Sequence, residues 1–499
     1  MRQLVVCCDG TWQDVAQQSN VSRLHAALVV PAGTPGPEYV KGVGVSRNPV
    51  DVLRGGLIGA GLSAGITKGY RWLAREFRPG DRIAVFGFSR GAYTARSLAG
   101  MIGRVGLVDG SGLGPRALDD AVERAYQHYR DIGTPAEDPS WNTGLDLVYR
   151  PGDPDMPVVF VGVWDTVGAL GIPTYVGIPD VVGSRERYQF LDVVLNPHIR
   201  HGRHAVSIDE MRGPFRPTLW RDIPPGQDVR QVWFPGDHGD VGGGYRKKAL
   251  SDGALDWMMR EATAAIGLQF DRGRIPGFAP DPTGELHGMP GGPLGAALEV
   301  AMQPRPRAVP RIDLHHPEPD VDASAYERQQ ATGYRATRTL AAPGDTARFP
   351  VPADQAWTAT GLYLAPGTYR FAATGEWRSF TARTGPDGDT ARWHGTGALS
   401  RTLLGAAQSA LRGVLRNREA DVLGVRREPR RPWMSLLALV ANEQTDAVGQ
   451  TVLADELLFI GAGTTAEVHR PGYLYAFPND AWGFYGNNGG SVQVTISRA

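Results

Sequence analysis

Hydrophobic and polar positions follow two different periods along the first half of the chain. In residues 1–265, short apolar runs with the length of buried strands alternate with longer segments whose apolar residues recur at helical spacing. This alternation predicts an α/β fold with a mostly parallel sheet and flanking helices. The predicted strands are 3–8, 82–86, 158–163 and 229–234, and the predicted helices are 52–77, 92–105, 118–131 and 252–266.

The pattern changes in the second half of the chain. Proline and glycine become frequent over 268–320, which predicts irregular structure against the first domain. Because 499 residues are too many for one ordinary core, we expect two domains, 1–335 and 343–499. The second should be an all-β sandwich with a helical insertion at 398–415. Its predicted strands include 357–364, 368–374, 457–461, 473–477 and 492–496.

A small-residue turn separates the second predicted strand from the helix that follows it. Residues 85–94 read Val-Phe-Gly-Phe-Ser-Arg-Gly-Ala-Tyr-Thr, with Ser89 at the centre of a Gly-x-Ser-x-Gly frame. A serine in this frame between a strand and a helix is typical of the nucleophile of a serine hydrolase. Ser63 stands in a second such frame, but inside a predicted helix. We therefore predict Ser89, and not Ser63, as the nucleophile.

A serine nucleophile needs a base to take its proton and an acid to orient that base. In the α/β-hydrolase arrangement these follow the serine in the order acid, then histidine, each after a strand. Asp165 follows the third predicted strand, and His238 lies in the glycine-rich loop after the fourth. We predict His238 as the base and Asp165 as the acid, with Asp209 as the alternative acid.

An oxyanion hole needs two backbone amides near the nucleophile. One is predicted to be the amide of Arg90, directly after the serine. The other is predicted in the loop after the first strand, as the amide of Gly10 or Thr11.

The balance of charges and the lengths of the apolar runs indicate which kinds of partner and which cellular location to expect. The chain has 52 basic and 52 acidic side chains, so nothing indicates a nucleic-acid partner. No apolar run reaches membrane-spanning length, and the start of the chain lacks the apolar core of a signal peptide. We expect a protein without a transmembrane segment that is cytoplasmic, or exported without a cleavable signal peptide.

Five motifs in the first domain occur in a family-specific order. They are Cys-Asp-Gly-Thr-Trp at 8–12, the run 78–96 around Ser89, Val-Trp-Asp-Thr-Val-Gly at 163–168, Ile-Asp-Glu at 208–210, and the His238 loop. Residues 1–335 thereby resemble the α/β-hydrolase family of unknown function that includes the catalytic domain of type VI secretion lipase effectors. The resemblance implies a phospholipase with a triad on Ser89, Asp165 and His238, no catalytic cofactor, a lipid or other ester substrate, and a secretion-apparatus partner.

The end of the chain gathers oxygen-bearing side chains of the kind that Ca²⁺ prefers. Residues 479–491 contain Asp480, Asn487 and Asn488 in a glycine-rich setting. With matches at 364–368, 375–380 and 385–389, the segment 343–499 resembles the calcium-dependent, galactose-binding PA-I lectin family of bacteria. An Asn/Gly-rich hairpin that only closes the sandwich would explain the same residues.

The lectin resemblance implies a ligand set for both metal and sugar. Ca²⁺ would be held by Asp480, Asn487 and Asn488 together with the carbonyls of Phe380 and Phe484. The sugar would contact Asp480, Asn487 and Asn488 through the metal. His394 would replace the family's sugar-contacting histidine, whose place is taken by Arg392.

The sequence as a whole predicts a serine ester hydrolase of the lipase or phospholipase type with an appended carbohydrate-binding module. Two alternatives stay open. In one, a metal-dependent phosphoesterase holds its ions with Asp9, Asp165, Asp237, His238 and Asp240. In the other, the hydrolase domain is inactive and the protein binds glycans.

Overall fold

The computed structural model describes residues 1–10, 18–42, 56–131, 135, 138–168, 195–379, 382–389, 427–446 and 451–499. Its first half contains a six-stranded sheet in the order β2-β1-β3-β6-β7-β8, and every pairing in it is parallel. The α/β prediction is therefore confirmed. The strands are β1 (Gln3–Cys8), β2 (Glu38–Val40), β3 (Arg82–Phe88), β6 (Val158–Trp164), β7 (His201–Ser207) and β8 (Asp228–Phe234); β4 (Leu107–Val108) and β5 (Leu147–Tyr149) form a separate ribbon.

Helices cover both faces of the sheet. They are α1 (Asn20–Ala27), α2 (Gly56–Glu76), α3 (Arg90–Val105), α4 (Pro115–Arg130), α5 (His238–Gly242), α6 (Ala249–Ile266), α7 (Gly292–Met302) and α8 (Ala323–Thr332). Alternate residues of β1 enter different cores: Leu4 and Val6 pack on the side of α2 and α3, whereas Val5 and Cys7 pack on the side of α1 and α6. Burial on both faces explains why the sequences of β1, β3 and β6 are almost continuously apolar.

The hydrophobic pattern did not predict β2 or β7. β2 has only three residues, and β7 is rich in polar side chains that are nevertheless buried. Arg203 of β7 is 2% exposed because its guanidinium pairs with Glu261 and Asp228, each at 2.5 Å. Ion pairs replace apolar packing there, so the strand lacks the usual signal.

The second half is built from antiparallel sheets, as the pattern predicts. One sheet has the order β10-β18-β13-β16 and another β12-β11-β19-β9, with β17 paired to β11. Their facing side chains form one core. The predicted insertion at 398–415 lies outside the described residues. The strands are β9 (Thr346–Pro352), β10 (Thr358–Leu364), β11 (Gly367–Ser379), β12 (Ala382–Thr384), β13 (Leu436–Ala441), β14 (Gln444–Thr445), β15 (Thr451–Leu453), β16 (Glu456–Phe459), β17 (Gly463–Val468), β18 (Gly472–Pro478) and β19 (Asn488–Arg498).

The parallel sheet and the antiparallel sheets are in direct contact. A shared apolar cluster contains Trp233 of β8, Ile312 and Val321 from the connecting region, and Tyr473 and Tyr475 of β18. Among the helices that the structure describes, none is both long and apolar enough to cross a membrane.

Candidate active site

Ser89 occupies a strained turn between β3 and α3. Its backbone angles are φ 58° and ψ −123°, a conformation that non-glycine residues rarely adopt. A Cβ on Gly87 would collide with the carbonyl oxygen of Gly91, and one on Gly91 would collide with that of Cys8. Both glycines are therefore required by space, because the helix begins directly against the ends of β1 and β3.

Asp165 and His238 meet at the same edge of the sheet. Asp165 follows β6, and His238 is the first residue of α5, just after β8. The His238 Nδ1 and Asp165 Oδ2 are 2.6 Å apart, and the two residues are 7% and 0% exposed. A capping box between Asp237 and Asp240 fixes the start of α5 and so the direction of the imidazole.

The residue before Ser89 in the sequence contacts the histidine. The ring of Phe88 packs on the His238 imidazole with centroids 4.6 Å apart, and the Ser89 amide donates to the carbonyl of Trp164, one residue before Asp165. Across the described part of the chain, no hydrogen bond joins Ser89 Oγ to His238. Such bonds are often long before substrate binds and shorten in the complex.

The Asp165 carboxylate also faces a guanidinium. Arg307 Nη1 donates to Oδ1 at 2.7 Å and Nη2 donates to Oδ2 at 3.0 Å. Burial by itself would raise the pKa of Asp165, but the charge of Arg307 and the hydrogen bonds from His238 and Arg307 hold it well below its usual range. Asp165 is therefore an anion at neutral pH.

Two further side chains fix the surroundings of the pair. The Glu210 carboxylate accepts a hydrogen bond from the His238 amide at 3.3 Å and is itself paired with Arg212. The buried His204 accepts the Thr166 amide on Nε2 at 3.0 Å. Burial and the nearby charge of Arg96 lower the pKa of His204 to about 3, so this histidine stays neutral beside Asp165.

Asp209, the alternative acid, is engaged elsewhere. Its carboxylate accepts hydrogen bonds from Arg335 Nε at 3.0 Å, the Tyr334 hydroxyl at 2.7 Å and the Gly236 amide at 2.8 Å. The structure thus places Asp165, and not Asp209, against the imidazole.

The structure describes two of the three predicted oxyanion donors, Arg90 and Gly10. The Arg90 amide is the first of α3, where N–H groups have no acceptor within the helix. A Cβ built on Gly10 would lie 3.4 Å from the Ser89 Cβ, so the loop after β1 does reach Ser89. The Gly10 amide, however, donates to its neighbour Asp9 Oδ1 at 2.7 Å. Thr11 lies outside the described residues.

The carboxylates of the metal-dependent alternative are each engaged with other groups. Asp9 accepts hydrogen bonds from Ser19 and Tyr39, Asp237 caps α5, and Asp240 pairs with His287 at 2.6 Å. Within the described ranges, no group of three or more His, Cys, Asp or Glu side chains is arranged to hold a metal ion.

Near the end of the chain, hydrogen bonds connect Asp480 to Asn488 and to Trp433. Asp480 Oδ2 accepts Asn488 Nδ2 at 2.7 Å, and Asp480 Oδ1 accepts Trp433 Nε1 at 2.9 Å. The side-chain oxygens of Asn487 and Asn488 are buried and have no partner among the described residues. The Phe484 carbonyl accepts the Asn487 amide at 3.5 Å. Phe380 and His394 lie outside the described residues.

Sequence reasoning missed Arg307, Glu210 and His204 as parts of the site. Arg307 stands in a proline-rich segment with no periodicity, and 142 positions separate it from Asp165. His204 lies in the unpredicted strand β7. Of these three residues, only Glu210 lies in a motif that the sequence analysis singled out, Ile-Asp-Glu at 208–210. The motif did not assign it a role.

Comparison with known proteins assigns the chain to a family. The family model described as the type VI secretion phospholipase effector Tle1-like catalytic domain matches residues 2–261, which is 260 of the 499 residues. The chain belongs to this family. An uncharacterized protein of Saccharomyces cerevisiae is 27% identical over 244 residues, covering 45% of this chain and 33% of the yeast protein. The chain thus spans about a third of the length of that curated relative.

Three solved structures give weaker similarities to this Tle1-like chain. The Tle1 effector bound to the VgrG spike of the type 6 secretion system is 18% identical, with a TM-score of 0.30 and coverage of 50% of this chain and 52% of that one. The RedJ thioesterase of Streptomyces coelicolor is 14% identical, with a TM-score of 0.25 and coverage of 52% and 90%. The PllA-like lectin that forms the N-terminal domain of EclA is 22% identical, with a TM-score of 0.19 and coverage of 30% and 95%. At such scores the assignment depends on the family match.

Proposed function

We propose that this chain is a serine hydrolase that cleaves carboxylic esters, with phospholipids as the principal substrates. The main support is the His238–Asp165 pair beside the strained Ser89 turn, at one edge of a parallel sheet. Membership of the Tle1-like phospholipase effector family supports lipid as the substrate class.

In the proposed mechanism, His238 Nε2 takes the proton of Ser89 while Nδ1–H donates to Asp165. Ser89 Oγ attacks the ester carbonyl, and the amides of Arg90 and of Gly10 or Thr11 stabilise the oxyanion. His238 returns the proton to the leaving alcohol, which leaves an acyl-enzyme. Water, deprotonated by His238, then attacks the acyl carbon; the bond to Ser89 Oγ breaks, His238 returns the proton to Oγ, and the fatty acid leaves. This route uses no cofactor.

The wider setting is part of the same proposal. We propose a catalytic domain at 1–335 and a lectin-like module at 343–499 that binds glycan. By analogy with a Tle1 effector bound to a VgrG spike, the partner would be a spike protein of a secretion apparatus, and export would need no cleavable signal peptide.

Covalent labelling tests the nucleophile. Ser89→Ala should abolish labelling by a fluorophosphonate and lower phospholipid hydrolysis by at least about 10³-fold, because no other group can form the acyl-enzyme. The measurement is labelling and fatty-acid release on the full chain, with circular dichroism to confirm folding.

Ser63→Ala is the matched control, since Ser63 has the same Gly-x-Ser-x-Gly frame in a different setting, and labelling and activity should be unchanged. It sits within α2, where its hydroxyl accepts a hydrogen bond from Tyr126 at 2.6 Å. Full activity of Ser89→Ala, or activity that a chelator abolishes and fluorophosphonate does not touch, would overturn the serine mechanism in favour of the metal-dependent alternative.

We also propose that the cluster of Asp480, Asn487 and Asn488 holds Ca²⁺. Two buried amide oxygens without partners beside a carboxylate are the hard donors that this ion prefers. Burial raises the pKa of Asp480 in spite of hydrogen bonds from Asn488 and Trp433. The donor set therefore fits the ion.

Calcium binding is tested by titration of the full chain after chelation. Ca²⁺ at 100 times Kd should stabilise the wild type by about 2.7 kcal/mol, and Asp480→Asn should remove this gain. Asp345→Asn is the control, because Asp345 also accepts a backbone amide in the sandwich but is only half-buried, directly after the exposed residues 342–344. Equal stabilisation of wild type and Asp480→Asn, or none in either, would refute the site.

A further inference from the structure

One irregular segment, residues 303–312, connects the β-sandwich to the catalytic acid. We call it the strap. Trp357 Nε1, directly before β10 of the sandwich, donates to the strap carbonyl of Pro304 at 2.6 Å. The Tyr473 hydroxyl of β18 accepts the amide of Ile312 at 2.7 Å. The sandwich therefore holds both ends of the strap.

Arg305, the residue after Pro304 in the strap, makes an ion pair with the sandwich. Arg305 Nε lies 2.7 Å from Asp455 Oδ2, and the Asp455 side chain is 1% exposed. Asp455 Oδ1 also accepts the amides of Asn442 and Glu443, which fixes this carboxylate in place. On the other side, the Arg305 amide donates to the carbonyl of Met211, in the loop after β7.

Arg307 lies two residues further along and points the other way, into the catalytic half. Besides its two bonds to Asp165, its guanidinium donates to the carbonyls of Ser207 and Phe215. The residue is 7% exposed. A planar fork that is held by two backbone carbonyls and grips both carboxylate oxygens leaves the Asp165 carboxyl plane little freedom.

The orientation of that plane matters for the proton transfer. Asp165 Oδ2 accepts from both Arg307 Nη2 and His238 Nδ1, so the guanidinium fixes the oxygen that must face the imidazole. The cation also offsets part of the negative charge beside His238.

We propose that Arg307 is a positioning residue for the Asp165–His238 pair, and that the β-sandwich acts on catalysis by holding the strap that carries it. The inference depends on the proposed serine mechanism for its kinetic consequence. Its structural part concerns only the Asp165–His238 hydrogen bond. The sandwich is then a component of the active site as well as a carrier of its own ligand site.

Charge and geometry can be separated by two substitutions. Arg307→Met removes both, whereas Arg307→Lys keeps the charge and loses the fork. In metal sites, loss of a residue that orients a ligand lowers activity roughly 10- to 100-fold. Because Arg307 orients Asp165 in a similar way, we expect a fall of that size in the fluorophosphonate labelling rate of Ser89 in Arg307→Met. Arg307→Lys should recover part of it.

The pH profile distinguishes positioning from simple loss of stability. Among the described residues, the charged and titratable groups around the His238 imidazole include Asp165, Glu210, Arg212, His204 and Arg307 itself, with Asp237 and Asp240 at the start of its own helix. Removing one cation makes the Asp165–His238 pair bind its proton at higher pH, whichever of the two takes it. The acid limb of the labelling rate should therefore rise by about one pH unit in Arg307→Met and stay near the wild-type position in Arg307→Lys.

The strap is tested by a variant that leaves Arg307 in place. Arg305→Met breaks the ion pair with Asp455 and should shift rate and acid limb in the same direction as Arg307→Met, by a smaller amount. The control is Arg383→Met, which breaks an exposed pair with Glu376 elsewhere in the sandwich. Arg383→Met should leave the labelling rate and the position of its acid limb unchanged.

A proton NMR spectrum of the full chain separates this inference from the proposed function. The low-field resonance of His238 Nδ1–H, assigned by its loss in Asp165→Asn, should weaken or move in Arg307→Met. Absence of Ser89 labelling in the wild type would refute the serine mechanism and leave this test intact. Wild-type labelling with an unchanged rate, acid limb and resonance in folded Arg307→Met would overturn the role of Arg307, and unchanged values in Arg305→Met would overturn that of the strap.

Discussion

At the scale of single residues, Asp165 is a fully buried carboxylate whose charge is matched by its neighbours. Arg307 grips both oxygens, the Ser207 amide donates to Oδ1 at 3.0 Å, and His238 donates to Oδ2. A buried ion is tolerated only when it is paired and hydrogen-bonded in this way. Removing either partner of the Arg307–Asp165 pair would leave the other as an uncompensated charge.

Asp165→Asn should therefore cost about 3–5 kcal/mol of stability at neutral pH. Because the folded pKa of Asp165 is lowered, its contribution is complete above the unfolded value of about 3.9 and is lost as the pH falls below it. The gap between wild type and variant should be constant from about pH 5 to 8 and narrow below about pH 4. Denaturant unfolding of wild type and Asp165→Asn at several pH values measures this difference in unfolding free energy.

Asp209→Asn serves as the comparison for catalysis, because Asp209 is a paired carboxylate that does not face the imidazole. Asp165→Asn should lose Ser89 labelling while Asp209→Asn keeps it. The reverse result would return the role of acid to Asp209.

At the scale of elements, the junction of β3 with α3 depends on two glycines that leave room for backbone. Gly91 lies in the first turn of α3 against the end of β1, where a side chain would meet the carbonyl oxygens of Cys8 and Asp9. The tight junction keeps Ser89 at the edge of the sheet and aims the first amides of α3 at the space beside it.

Gly91→Ala should destabilise the protein and lower the labelling rate of Ser89, because the backbone of α3 must move away from β1. Gly253→Ala is the matched control, since Gly253 lies within α6 with nothing within 4 Å of an added Cβ. That change should stabilise the protein by about 0.5–1 kcal/mol, as alanine does in helices. Thermal unfolding and labelling of both variants check this, and equal effects of the two changes would contradict the close contact.

At the scale of the whole molecule, the two halves share apolar and polar contacts. Trp233 of β8 packs in one cluster with Tyr473 and Tyr475 of β18. The Arg335 guanidinium lies between Asp209 and the Tyr475 hydroxyl, at 3.0 and 3.1 Å. A sandwich that only carried a glycan site would not need such an interface, which agrees with the proposed role of the strap.

The sequence by itself determined the alternation of strands and helices in the first half, four of the six strands of its parallel sheet, the Ser89 turn and the positions of Asp165 and His238 after strands. These features are local: a period of apolar residues and a small-residue turn can be read within a dozen positions. The same local signals predicted the antiparallel second half. They failed for β7, where buried ion pairs take the place of apolar side chains.

Only the tertiary structure decided which carboxylate faces His238 and which cation holds that carboxylate. Asp165 and Asp209 both stand near strand ends, so spacing cannot distinguish them. Arg307 comes from an irregular segment 142 residues after Asp165, and a pair so distant leaves no periodic signal. Its partner is set by where the strap runs between two packed modules, which depends on their surfaces and not on the residues next to it in the chain.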